Sequence, residues 1–418
     1  MNTSAIKYMP QLDGVRTIAV SAVMASHWIF TGNSKLLTGL TGEGGVNLFF
    51  VLSGFLITNI LLMGKEQPGM GKFQLLKQFY IRRFLRIFPL YYFVVIAGFI
   101  FSIPAVRNHM LWFLTYTANY FIAWQKGGGI FYTHLWSLAV EEQFYIFFPF
   151  VVLLTPRRYY LPVFFTLISI AILFRIIPYF LLDDALLAYW VAYAFTPGCF
   201  DAFAIGAILA YFFRYHPQDL QAILRKRWIF VTAFVLWMVL SYFGIGMPKR
   251  TVFSIFCFWM VGMAATHSFT GAFGGFLKNK VVVYLGRISY GLYVYHHFMP
   301  WVFSSLGFED SWQTRLLYLP VTVLIATASW FLMEKPITDL KQYFEYKPSA
   351  GGESWIKQAA PQLLRISLTF HVIAFLFAAG FVFQHRHKIF ARFNKADIST
   401  ANINMHGDSS ISRRNNDQ

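Results

Sequence analysis

Eleven apolar runs, most of them about twenty residues long and separated by polar connections, leave this 418-residue chain few folds to choose from. A segment surrounded by hydrocarbon must satisfy its own backbone N–H and C=O groups, and the α-helix does so within one segment. The runs fall at 14–32, 45–63, 86–104, 134–154, 161–182, 199–213, 228–246, 252–269, 281–304, 316–333 and 366–384. The expected fold is therefore all-α and polytopic, with about ten core transmembrane helices and an eleventh near the C-terminus. Only 13% of the residues are charged, against about 25% in a soluble domain, which argues against a soluble enzyme. No small-residue cleavage site follows the first run, so it reads as a retained span rather than a signal peptide.

The formal charge of +17 invites a nucleic-acid reading, but the basic residues sit in short connections between apolar runs, the pattern of loops held at a cytoplasmic face. With the N-terminus inside, the inner connections carry Lys65, Lys72, Lys77, Arg82 and Arg83, then Arg157 and Arg158, then Arg225, Lys226 and Arg227. The outer ones carry scattered cations such as Lys126 and Lys249. This favours a multi-pass membrane protein with membrane lipids, not nucleic acid, as its surroundings. The sequence divides into a membrane domain at 1–340, a cytoplasmic linker at 341–365, the helix 366–384 and a polar tail at 385–418 expected to be disordered. That tail is basic, which sits awkwardly with an outer location. Two cysteines in apolar surroundings, Cys199 and Cys257, give neither a disulfide framework nor a metal site.

The polar residues inside these runs carry the functional signal, because ionisable groups in hydrocarbon are costly. The first run reads QLDGVRTIAVSAVMASHW. Arg16 and His27 are eleven residues apart, which returns them to within about 20° on one helix face and separates them by roughly 16 Å along the axis. Asp13 lies at the same end as Arg16. The fourth run, HLWSLAVEEQFY, holds the adjacent carboxylates Glu141 and Glu142; Ser137, Glu141 and Tyr145 share a face. Asp201 stands near the start of the sixth run, and Ser289, Tyr293 and His296 share a face of the ninth. Each has a plainer reading: an inter-helix brace for the glutamates, a helix N-cap for Asp201, a loop contact for His296.

The stretch FYIRRFLRIFPLYY places Arg82, Arg83 and Arg86 within five positions. Arg83 and Arg86, three apart, point the same way on a helix and suit a phosphate group. A membrane anchor is the plainer alternative, and Pro89 could kink the helix to open room for a ligand. The map has two poles: guanidinium groups toward the cytoplasm for a phosphorylated donor, and a histidine with carboxylates deeper in for general-base chemistry on a hydroxyl.

These motifs resemble the membrane acyltransferase-3 family of integral membrane O-acyltransferases. The resemblance rests on LDGVRTIAVSAVMASHW, GGVNLFFVLSGFLI, FYIRRFLRIFPLYY, HLWSLAVEEQFY, FDAFAIGAILA, LGRISYGLYVYHH and FLMEKPI, in that order over residues 10–337. It implies transfer of an acyl group, usually acetyl, from cytoplasmic acyl-CoA to a hydroxyl of a surface polysaccharide or its lipid-linked precursor. The resemblance also implies a bacterial inner membrane, and no permanently bound cofactor or metal. His27 would be the catalytic histidine, with Glu141, Glu142 and Asp13 as the acidic groups around the chemistry. Arg16, Arg82, Arg83 and Arg86 would contact the donor. Asp201, Ser289, Tyr293, His296 and Asn119 would line the acceptor side. One of the glutamates would orient the His27 imidazole, and both direct transfer and an acyl-histidine remain open.

Many members of that family continue into an extracytoplasmic domain with a catalytic serine. Here the tail after 384 is short, so a further transfer step would need a separate extracytoplasmic partner or would not occur. Other family members acylate small molecules such as antibiotics. A transporter of a small anion or lipid-linked sugar is the rival from another class, since polar residues strung through spans also mark transport paths.

Overall fold

A computed structural model describes residues 8–30, 42–101, 103–127, 132–243, 246–344 and 362. Among them every regular element is helical and no strand occurs. The expected eleventh helix at 366–384 and the polar tail lie outside the described residues. The principal helices are α1 (Pro10–Trp28), α2 (Gly44–Lys65), α3 (Lys72–Ile100), α4 (Leu135–Leu154), α5 (Tyr160–Ile176), α6 (Phe200–Tyr215), α7 (Arg227–Tyr242), α8 (Gly246–Ala265), α9 (Lys280–Arg287), α10 (Ser289–Tyr295) and α11 (Trp312–Ser329).

Six stretches are long and apolar enough to cross a bilayer: Gly44–Lys65, Lys72–Ile100, Leu135–Leu154, Arg157–Leu181, Thr196–Tyr215 and Trp312–Phe344. The other apolar runs are more polar, shorter or broken. Helix α1 carries Asp13, Arg16 and His27, and α7 has 16 residues. The expected ninth span, 281–304, is interrupted: α9 ends at Arg287, α10 at Tyr295, and a 3-10 turn at His296–Phe298 precedes the short helix Met299–Ser305. The third span also starts earlier than the apolar run suggests, at Lys72, so the three arginines sit inside a helix rather than in the loop before it. Several helices leave apolar side chains on the outer surface, including Phe165, Ile172 and Leu173 of α5 and Leu316 and Leu324 of α11. So much exposed apolar surface suits a hydrocarbon environment.

The core of the bundle is built on α2. It packs most extensively against α6, and also against α1, α4 and α8. The α2–α6 pair meets through reciprocal glycines. A Cβ on Gly54 would stand 2.1 Å from the Phe203 carbonyl oxygen, and one on Gly206 would stand 2.1 Å from that of Val51. Only a residue without a side chain lets the two backbones approach so closely, the small-residue device of membrane helix pairs. The paired helices put α2, α3, α4 and α10 around a common space.

Candidate active site

That space is a cavity of about 230 Å³. Its α2 wall runs from Val46 to Ile60, fourteen helical rises and so about 21 Å of helix. Helix α1 contributes Arg16, α3 contributes Arg83 and Arg86, α4 contributes Ser137, Glu141, Glu142 and Tyr145, and α10 contributes Ser289, Tyr290 and Tyr293.

One end of the cavity is cationic. Arg83 lies over the Tyr145 ring at 5.4 Å and over Phe79 at 5.6 Å, and both Arg83 and Arg16 act electrostatically on Arg86. Arg16 pairs with Asp13, which also accepts a hydrogen bond from the Tyr8 hydroxyl at 2.7 Å. No ion pair holds Arg83 or Arg86 among the described residues. A guanidinium facing a cavity without a carboxylate partner is a ready anion site. Arg82 turns elsewhere: it donates to the carbonyl oxygens of Lys341 and Phe344 at 2.8 and 3.1 Å, tying α3 to the segment beyond α11.

The middle of the cavity is acidic but short of cations in contact. Glu141 Oε1 accepts from Ser53 Oγ at 2.7 Å, and Ser53 accepts from the Tyr145 hydroxyl at 3.1 Å. Glu142 is only 5% exposed, and its Oε1 has no hydrogen-bond partner among the described residues. At the far end Tyr293 and Ser137 close the cavity: their hydroxyls are 2.5 Å apart, and Tyr293 donates to the His134 carbonyl oxygen at 2.9 Å.

Directly beyond Tyr293 stand four imidazoles, those of His27, His134, His296 and His297. The His27 and His296 ring centroids are 5.0 Å apart; His134 and His297 stack at 4.6 Å. The hydrogen bonds assign the protons of the first pair. His296 Nδ1 lies 2.6 Å from the Tyr293 carbonyl oxygen, which can only accept, so Nδ1 carries the hydrogen. In a neutral ring His296 Nε2 is then an acceptor, and it lies 3.1 Å from His27 Nδ1. His27 Nδ1 also lies 3.1 Å from the Val23 carbonyl oxygen, which again calls for a hydrogen on Nδ1. His27 Nε2 is left with its lone pair, the arrangement of a general base oriented through its other nitrogen. These rings do not form a metal centre: among the described residues no group of three or more His, Cys, Asp and Glu could hold an ion.

Several sequence expectations change here. His27 is not buried: it is exposed on the last turn of α1, while His296 beside it is fully buried. The partner that orients His27 is His296 rather than Glu141 or Glu142, because Glu141 is engaged with Ser53 a few turns away. Asp201 does not reach the cavity. It is 1% exposed and pairs with Arg175 at 2.7 Å, with Thr251 donating to the same oxygen at 2.6 Å. Asn119 is likewise a brace: it donates to the Ala194 carbonyl oxygen at 3.1 Å and accepts from Gln143 at 2.9 Å. Ser289 and Tyr293 do line the cavity. Sequence reasoning overlooked Ser53, His134 and His297; the neighbouring histidines of YHH and the histidine opening HLW were the available signals.

Asp201→Ala is expected to cost about 3–5 kcal/mol of stability, because it strands the Arg175 guanidinium in the core. Thermal melting of the purified protein in detergent checks this. The folded fraction should keep its affinity for any ligand of the cavity; a ligand-specific defect at full stability would instead put Asp201 at the site.

Residues 9–334 match the family described as the acyltransferase domain. The chain belongs to this acyltransferase family. Among its relatives, a protein of Staphylococcus aureus strain MSSA476, provisionally named an O-acetyltransferase, is 28% identical over 408 residues, covering 87% of this chain and 61% of the relative. The O-acetyltransferase OatA of Staphylococcus aureus strain NCTC 8325 is 26% identical over 372 residues, 79% of this chain and 57% of the relative. The peptidoglycan O-acetyltransferase OatA of Listeria monocytogenes is 37% identical over 159 residues, 34% of this chain and 24% of the relative. The chain thus spans under two thirds of the length of these relatives. No solved structure matches it.

Proposed function

We propose that this acyltransferase-family protein is a multi-pass membrane O-acetyltransferase that moves an acetyl group from cytoplasmic acetyl-CoA to a hydroxyl of a surface polysaccharide or its lipid-linked precursor. The observation that carries the reading is the single cavity that starts among Arg16, Arg83 and Arg86 and ends at Tyr293, one residue layer short of His27. The N-terminus is cytoplasmic, so the arginine end takes the donor's phosphates and the histidine end receives the acceptor. An extended arm runs between them, and the thioester meets His27 once the Tyr293–Ser137 hydrogen bond opens.

His27 Nε2 takes the proton from the acceptor hydroxyl as that oxygen attacks the thioester carbonyl. The C–S bond breaks, the thiolate leaves, and the imidazolium returns the proton to sulfur, so the ring ends as it began. His296 and the Val23 carbonyl hold the imidazole in the tautomer this requires.

The test uses the purified protein in vesicles with acetyl-labelled acetyl-CoA and a lipid-linked glycan. The expected result is label covalently bound to glycan. Passage of an anion or glycan across the vesicle without covalent label would instead support transport.

A further inference from the structure

Glu142 has no place in the chemistry above, yet it is the most conspicuous polar group of the cavity. It is 5% exposed, it lines the cavity, and among the described residues its Oε1 is without a hydrogen-bond partner. No ion pair engages it among the described residues. A buried acceptor left unmade costs roughly 1–3 kcal/mol, which a ligand donating to it would recover. Three other polar side chains of the cavity are engaged: Glu141 by Ser53, Ser137 by Tyr293, and Tyr290 by the Ile87 carbonyl oxygen at 2.8 Å.

Its level in the bundle identifies the donor. Arg83 stacks over Tyr145, and Glu142 precedes Tyr145 by three residues of α4, so it lies about 4.5 Å nearer the histidine end than the guanidinium layer. An extended chain covers roughly 1.2 Å per bond. In the phosphopantetheine arm of a coenzyme A thioester the first amide nitrogen lies six bonds from phosphorus, about 7 Å, and the sulfur thirteen bonds, about 16 Å. The latter is the rise of about 16 Å from Arg16 to His27. A phosphate held by the arginines therefore brings the first amide N–H past Glu142 while the thioester arrives near His27.

We propose that Glu142 is a donor-recognition residue whose carboxyl oxygen accepts the hydrogen bond of the first amide N–H of the pantetheine arm, making the enzyme selective for thioesters that carry this first amide over shorter ones without it. This rests on the acetyl-CoA reading above. Glu142 binds the donor and takes no part in proton transfer.

The experiment compares E142A and E142Q with wild type on three donors: acetyl-CoA, S-acetylpantetheine, which keeps both amides but lacks the phosphates, and S-acetyl-N-acetylcysteamine, which lacks the first amide. E142A should raise KM about tenfold for the first two donors and leave the third unchanged, with kcat little altered throughout. E142Q, which keeps an acceptor oxygen, should stay near wild type, and it also serves where E142A folds poorly. An equal KM increase on all three donors, or a loss confined to kcat, overturns the proposal. Affinity for a thioether analogue of acetyl-CoA, read by calorimetry, separates the two readings. An analogue bound by wild type and weakened by E142A, with no acetyl transferred, removes the transferase reading and keeps the donor contact. Transfer intact with E142A binding the analogue as wild type does removes the contact alone.

Discussion

His27→Ala is expected to lower acetyl transfer by about 10²- to 10⁴-fold while leaving the protein folded and its affinity for acetyl-CoA unchanged. The size follows from the role: a positioned base in the transition state contributes on that scale, and the unprotonated nitrogens of His296 and His134 sit on buried rings, whereas His27 is exposed. The persistence of the fold follows from the position. His27 is exposed on the last turn of α1, and among the described residues its ring hydrogen-bonds His296 and a carbonyl of its own helix. Replacing it strands no buried charge, and Trp28 still anchors the end of α1 by donating to the His296 carbonyl oxygen at 3.1 Å. Single-turnover label transfer, with melting temperature and analogue binding as controls, measures the effect. Transfer within a few-fold of wild type would remove His27 from the chemistry, and the tautomer assignment would lose its functional meaning.

How much of this was readable in advance depends on whether a residue's partner lies on its own helix. Arg83 and Arg86 were legible because helical periodicity alone makes them neighbours, and both line the cavity. Glu141, Tyr145 and Ser137 were legible for the same reason. Asp201 was not, because Arg175, 26 positions earlier, meets it only after α5 and α6 pack. Nothing in the spacing of Asp201 distinguishes a brace from a ligand group. The same holds for His296: the sequence places it on a face with Ser289 and Tyr293, but its bond to His27 spans 269 positions.

The helical class and the membrane setting were visible in the apolar runs, and the family was visible in the order of the motifs. The element boundaries were less so. Hydropathy starts the third span after its arginines, whereas α3 begins at Lys72 and carries them in mid-helix. The amphipathic first turns of α3 make helix as readily as its apolar remainder, because backbone hydrogen bonding does not register where hydrocarbon begins. The break at 296–298 was hidden for the opposite reason: residues around it are apolar, and the 3-10 turn there places His296 and His297 against the rings of α1 and His134.

Arg83→Ala with Arg86→Ala should raise KM for acetyl-CoA by about 10²- to 10⁴-fold and stabilise the empty protein. Both halves follow from one fact: among the described residues neither guanidinium has a carboxylate in contact. A charge-assisted hydrogen bond to phosphate contributes about 1.5–3 kcal/mol, and two are removed. In the free protein the same groups are like charges held side by side around Arg86, with Arg16 adding a third, an arrangement costly without its anion. Removing them should therefore raise the melting temperature of the unliganded protein, where loss of a structural brace would lower it. Arg86→Lys should recover only part of the affinity, since an ammonium cannot make the two-pronged contact. S-acetylpantetheine, without the phosphates, should be used equally by wild type and the double variant. If the double variant loses both donors alike, or melts lower while binding acetyl-CoA normally, the arginines brace the helix bundle and the donor's phosphates bind elsewhere.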